Sequence, residues 1–290
     1  MKNLFLILSL SITSSALLHC QQANVLHIVN TDTQEPVPFA IVSNLAKLNG
    51  GYSNEEGVFF LDDSEVANED SLIVSAIGYA DLIINMNDIS LKDTIKLVPI
   101  DLMLSEVVVT AYQLENGDKT KYLGVDRKKN DGQLSHCAGK FGSEYAIRLV
   151  KRNDEDEIDQ LSIYLVKEGV GNAPFRIKIY SDEMERPLNL LHSVIVQPTK
   201  NLKKWTTIPL TKEQITIGEK IFYVAFEWLT PNEDRFYFES SSGQRCNGQI
   251  LGLSTENKDV DFFIKTSLGG TWWDGRDLLG GVPMVNIKMK

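Results

Sequence analysis

Histidine is scarce in this chain. Only His19, His27, His136 and His192 occur, and none stands at a zinc-site spacing from another histidine or a glutamate. No Gly-x-Ser-x-Gly elbow and no phosphate-cradling glycine loop is present. Neither a metal, a cofactor nor a nucleophilic catalytic residue is therefore expected. Past the first ten residues, no apolar run approaches the ~20 residues that a membrane helix needs. An excess of basic residues is missing as well. The formal net charge is −10, and its acidic part would repel phosphate backbones, which excludes nucleic acid as a partner.

That charge is uneven. Residues 21–112 hold 14 acidic and 3 basic side chains, whereas residues 113–290 hold 25 of each. Two electrostatically distinct parts within 290 residues suit two domains. The N-terminus reads as an export signal over 1–20. Lys2 supplies the positive start, Leu4 to Leu10 the apolar core, and Ser14, Ser15 and Ala16 a small-residue stretch. Leu17 lies three residues before Cys20, as in a lipoprotein signal, but His19 departs from that pattern. A lipid anchor at Cys20 and an ordinary leader both stay open. Export permits a Cys137–Cys246 disulfide, and free thiols are the equal alternative. After signal removal no transmembrane helix is expected.

Strand signals dominate the remainder. Val25–Val29, Phe39–Val42, Val58–Leu61, Leu72–Val74, Ile95–Val98 and Val107–Val109 are short, β-branched or aromatic, and separated by turn formers. Residues 113–140 are polar and basic and read as a linker. Strand patterns resume at Phe141. Tyr145–Val150 and Leu161–Val166 flank Asp154–Glu157 and read as a hairpin with a charged tip. That acidic run is continuous and lacks the glycine of a calcium loop. Phe175, Ile177 and Ile179 alternate with Arg176 and Lys178, predicting one buried and one wet face. Ile221–Trp228 suits a central strand, and Thr211–Gln214 one short helix. The expected fold is all-β: two sandwiches, with a jelly-roll-like C-terminal domain over 141–290.

Within residues 24–110 the chain resembles the carboxypeptidase-regulatory-like family, a transthyretin-like β-sandwich. The resemblance rests on Glu35-Pro36-Val37-Pro38-Phe39-Ala40, on Gly51 to Phe59, on Ser71 to Tyr79, and on Leu97, Pro99, Leu104 and Glu106 to Val109 as a closing strand pair. It implies a non-catalytic module over 21–112 in an exported protein of the Gram-negative envelope, periplasmic or associated with the outer membrane. Such modules often precede outer-membrane barrels, for which 290 residues leave no room. Read physically, Gly57 sits where a turn needs positive φ, and Pro36 and Pro38 stiffen an edge entry.

Three constellations remain as candidate chemistry. His136 beside Cys137 could be a ligand or thiol pair, or simply part of the polar linker. Glu144, Glu227 and Glu239 lie on or near strands. They could form a glycosidase pair in a groove, or face outward as ordinary polar positions. Residues Gly269 to Asp277 carry the adjacent Trp272 and Trp273, with Asp274 and Arg276 beside them. Strand alternation turns at least one indole to solvent, where it can stack on a sugar ring while Asp274 and Arg276 bond hydroxyls. The leading expectation is a non-enzymatic envelope protein that binds a glycan or a protein partner through Trp272, Trp273, Asp274 and Arg276. The alternative is a carbohydrate-active hydrolase or its accessory module.

Overall fold

The computed structural model describes residues 24–44, 50–61, 70–88, 94–100, 107–109, 122–137, 141–152, 157–210, 214–229, 234–257, 259–266 and 270–290, with Lys47, Ala67, Pro231 and Leu268. The leader with Cys20, Asp154 to Asp156 and Thr211 to Glu213 lie outside them.

The molecule is all-β, with two sandwiches. The first holds β1 (Asn24–Asn30), β2 (Ile41–Asn44), β3 (Gly50–Tyr52), β4 (Val58–Leu61), β5 (Ser71–Ser75), β6 (Leu82–Asn85) and β7 (Thr94–Leu97). A sheet ordered β4-β1-β7 faces one ordered β3-β2-β5-β6. Alternate residues fill the space between: Leu26 and Ile28 of β1 meet Leu72 and Val74 of β5, with Phe59, Ile95 and Leu97. Gly57 adopts φ +68°, and a Cβ there would stand 2.5 Å from the Ile28 carbonyl oxygen. Asn54 Oδ1 closes that turn by accepting from the Val58 and Glu56 backbone N–H groups.

The second sandwich is larger. Its strands are β8 (Val107–Val109), β9 (Tyr122–Gly124), β10 (Gly132–Cys137), β11 (Glu144–Val150), β12 (Ile158–Val166), β13 (Phe175–Glu183), β14 (Arg186–Val196), β15 (Lys204–Pro209), β16 (Ile221–Trp228), β17 (Tyr237–Glu239), β18 (Arg245–Ser254), β19 (Phe262–Lys265), β20 (Trp273–Asp274), β21 (Val282–Pro283) and β22 (Val285–Met289). One turn of helix, α1 (Arg276–Leu279), follows β20. Seven strands run in the order β20-β19-β11-β16-β13-β14-β8. They face an eight-stranded sheet with the path β10-β18-β12-β22-β9, to which β15, β17 and β21 add. Ile147, Phe175, Ile177, Phe222, Phe226 and Trp228 from the seven-stranded sheet interlock with Leu161, Ile163, Leu251 and Ile287. As expected from its apolar length, β16 is the central strand of its sheet.

Several expectations are corrected. The linker assigned to 113–140 contains β9 and β10, which pair with β22 and β18; Leu123, Val125 and Leu134 are enough to seat them in the core. Val107–Val109 does not close the first sandwich. It pairs in parallel with Val194–Val196, so the chain enters the second sheet before the polar stretch begins. Residues 145–150 and 161–166 are not a hairpin, because β11 and β12 belong to opposite sheets. The face of β13 expected to be wet is covered: Arg176 and Lys178 are buried. The cysteines, left open by sequence, are joined as Cys137–Cys246, at directly opposed positions of β10 and β18.

The two sandwiches share an apolar joint. Phe39, Ile41 and Tyr52 pack on Ile195 and Leu229, with Phe141 and Leu268 at the margin. Tyr52 also forms an isolated bridge to Pro231. Phe39 holds a left-handed backbone, φ +53°, which costs of order 1–3 kcal/mol for a non-glycine residue. Burial of its ring in the joint offsets that cost at roughly 1.5–3 kcal/mol for a large apolar side chain.

Candidate functional site

The tryptophan loop ends the seven-stranded sheet. Strand β20 pairs antiparallel with β19, setting Trp273 opposite Ile264 and Asp274 opposite Phe263. The next residue must be glycine, since a Cβ at Gly275 would lie 2.4 Å from the Phe262 ring. Trp273 is exposed, at 59% of its surface. Trp272 is half-buried and gripped from three directions. Its ring meets Tyr180 edge-on, with centroids 5.6 Å apart; Lys265 Nζ lies 5.1 Å from its centroid; and its carbonyl accepts from Arg186 at 2.7 Å. Asp274 and Arg276 are brought together but bond each other. Asp274 Oδ1 accepts from the Arg276 backbone N–H at 2.9 Å, and Oδ2 from Arg276 Nη2 at 2.8 Å. Those bonds hold the Asp274 carboxyl below its ordinary range. Arg276 also reaches Asp261 at 3.0 Å.

Behind this loop lies a feature that strand alternation alone conceals. Register puts Lys265, Glu144, Glu227 and Arg176 side by side across β19, β11, β16 and β13. Two carboxylates directly opposed would repel each other. Lys178, on the same face of β13 and opposite Ala225, reaches both. Its Nζ is 2.8 Å from Glu144 Oε1 and 2.9 Å from Glu227 Oε2. Arg176 bonds Glu227 Oε2 at 3.1 Å, and Lys265 bonds Glu144 Oε1. Tyr180 donates to Glu144 Oε2 at 2.6 Å. The last carboxylate oxygen, Glu227 Oε1, accepts from Tyr52 at 2.8 Å, a residue of the first sandwich. Tyr52 Oη accepts in turn from the Gly142 N–H at 2.9 Å.

Every carboxylate oxygen in the cluster is therefore occupied, as buried charges require. Burial pushes the Glu227 carboxyl up, but the Lys178 and Arg176 charges prevail and hold it down at about 2. Burial pulls Lys178 down, and Glu144 and Glu227 more than reverse this. Tyr52 and Tyr180 are raised well above the ordinary phenol range, by burial and then by the carboxylates beside them. Three basic side chains, Arg176, Lys178 and Lys265, thus stand against the two carboxylates.

The remaining sequence candidates fall elsewhere. Glu239 is exposed on β17, in the other sheet from Glu144 and Glu227. His136 stacks on Trp228, with centroids 5.2 Å apart, and its neighbour Cys137 is in the disulfide, so they form no thiol pair. Among the described residues, no group of three or more His, Cys, Asp or Glu is placed to hold a metal ion, and no helix is long and apolar enough to cross a membrane. Sequence reasoning missed Tyr52, Tyr180, Lys178 and Lys265. The available signal was Glu227, a lone charge between Phe226 and Trp228 in the most apolar strand.

No protein-family model matches this chain, and no curated protein matches it. Among solved structures, the cysteine protease and lectin-like domains of Cwp84, a surface layer associated protein of Clostridium difficile, give a TM-score of 0.40 at 8% identity, covering 87% of this chain and 59% of that one. The clostridial cysteine protease Cwp84 after propeptide cleavage gives 0.36 at 11% identity, over 92% and 70%. This chain thus spans 59% of the first of these. Likeness of this degree identifies neither a family nor an activity.

Proposed function

We propose that this chain is an exported, non-enzymatic binding module of a Gram-negative envelope, whose C-terminal sandwich offers Trp273 as a stacking platform for a glycan. The N-terminal sandwich is read as a carboxypeptidase-regulatory-like unit on the motifs given above. One observation carries the ligand reading: an indole exposed over 59% of its surface sits on a short edge strand whose neighbour, Trp272, is held by Tyr180, Lys265 and Arg186. A rigid, solvent-facing ring loses little entropy when a sugar stacks on it. Asp274 and Arg276, bonded to each other, still present exposed polar atoms at its side.

The Glu144–Glu227 pair weighs against hydrolysis at that place. Glycosidases need one carboxyl protonated near neutral pH and an approach for substrate. Here both are buried, both are ion-paired, and Glu227 is held at about 2.

A glycan array with the chain from residue 21 onward, followed by calorimetry on any hit, tests the proposal. Trp273→Ala should weaken binding roughly 10- to 100-fold, the loss of one stacked and buried ring. Binding by no version ends the platform reading and turns the search to protein partners. Binding that survives Trp273→Ala moves the site away from β20.

A further inference from the structure

The contacts of the charged cluster form one continuous line. It begins in the first sandwich at Tyr52, whose hydroxyl donates to Glu227. Glu227 is bound by Lys178, and Lys178 is shared with Glu144. Glu144 holds Lys265 and Tyr180, and those two side chains pack on the Trp272 ring. Every member from Tyr52 to Tyr180 is buried; the line reaches solvent only at Lys265 and Trp272.

Such a line is stiff for an electrostatic reason. Rotating any one member away leaves a charge or hydroxyl unpaired where water cannot replace the lost bond. Ala146 and Ala225, opposite each other on β11 and β16, leave the space that the Lys178 side chain needs to reach both carboxylates. Tyr52 is itself pinned, by the Gly142 N–H, by an edge-on contact with Phe141 at 6.1 Å and by the bridge to Pro231.

We infer that Tyr52 is a positioning residue for the tryptophan loop: the first sandwich sets, through the buried cluster, where Trp272 and hence Trp273 stand. The N-terminal unit is then part of the support of the binding edge and not a detachable spacer. The inference rests on the platform reading only for its consequence in affinity; the geometry of the loop is tested without a ligand.

The test uses the chain from residue 21 onward carrying 5-fluorotryptophan, followed by fluorine NMR. The four indoles give four resonances, assigned with Trp272→Phe, Trp273→Phe, Trp205→Phe and Trp228→Phe. Tyr52→Phe removes one oxygen and keeps the ring in the apolar joint. It should displace or broaden the Trp272 resonance and leave Trp205 unmoved. Trp205 lies on β15 of the other sheet, bonded to the Arg127 carbonyl, and serves as the internal control. A folded Tyr52→Phe protein with an unshifted Trp272 overturns the inference, and so does equal movement of all four signals, which would mean general loosening.

Should Tyr52→Phe not fold, the line is read from its other end. In Lys265→Gln protein carrying 3-fluorotyrosine, the Tyr52 resonance should move, since coupling between sites is reciprocal; an unmoved Tyr52 overturns the inference. Where the array yields a ligand, Tyr52→Phe should weaken it roughly 2- to 30-fold although Tyr52 is not at the platform. Where it yields none, the platform reading fails and the NMR result still decides this one.

Discussion

Glu227→Gln is the sharpest perturbation of this fold. The substitution keeps shape and removes one charge. It takes from Arg176 and Lys178, both buried, the Glu227 carboxylate charge, and Lys178 keeps only Glu144 as a carboxylate partner. Breaking one side of a buried ion pair costs about 3–5 kcal/mol. The pKa of Glu227 gives a second measure. Its carboxyl falls from 4.5 to about 2 on folding, which corresponds to about 3 kcal/mol at 1.36 kcal/mol per unit. The raised pKa of Lys178 reports the same attraction and is not added. For a folding unit of 150–250 residues, each kcal/mol moves Tm by about 2–4 °C, so Glu227→Gln should melt roughly 6–20 °C below the parent at pH 7. Thermal unfolding followed by circular dichroism reads this directly. The pH dependence has a fixed sign: a depressed carboxyl stabilises above its unfolded value and loses that contribution as pH falls toward the folded one. The gap between parent and variant should therefore be full above about pH 5 and shrink toward pH 2. Arg176→Met added to Glu227→Gln should recover part of the loss, because it removes a buried positive charge that faced the lost carboxylate. A Glu227→Gln protein within 1 kcal/mol of the parent would refute the view that Glu227 is an ionised, buried partner of Arg176 and Lys178.

Two further outcomes are expected. The Cys137–Cys246 bond spans a sequence separation of 109, so its loss should cost about 4–5 kcal/mol by chain entropy; Cys137→Ser/Cys246→Ser protein, or parent protein in reductant, should melt correspondingly lower, and an unchanged Tm would show the thiols unpaired. Tyr52 and Tyr180, raised by burial, stay protonated in the folded state above pH 10, where the unfolded phenols ionise; stability is complete below that pH and falls above it. A tyrosinate absorbance titration should show late ionisation coincident with unfolding, and full ionisation near pH 10 in folded protein would contradict their burial.

The sandwich architecture was legible because it is written locally. Alternation in β13, the apolar run of β16 and the glycine turn at Gly57 each report on a few adjacent residues. Trp273 was legible for the same reason: of two neighbours in a strand, one must face out. The hidden strands β9 and β10 carry too few apolar residues to stand out against their charged neighbours, and only pairing with β22 and β18 makes them strands. The cluster was illegible for a different reason. Arg176 and Lys178 occupy positions that mean solvent in an isolated amphipathic strand. That they meet Glu144 and Glu227 depends on the register of three strands distant in sequence. That their face is covered depends on a tyrosine from the other sandwich, 175 residues from its partner. Glu144 and Glu227 were two of three candidate carboxylates, with Glu239, and nothing in the sequence selected which would pair; these two stand opposite each other, and neighbouring cations make of them an ionic joint.

The separation between Tyr52 and Glu227 also has a bearing on biosynthesis. The chain emerges N-terminus first, and the strands of the first sandwich are complete by Leu97. Its Phe39, Ile41 and Tyr52 face then has no counterpart until Ile195, Glu227 and Leu229 have followed. At ribosomal rates of about 5–20 residues per second, that interval is roughly 7–26 seconds. During it the nascent protein displays a sticky, half-finished surface, and a holding chaperone that shields this face until β16 arrives would raise the yield of folded chain.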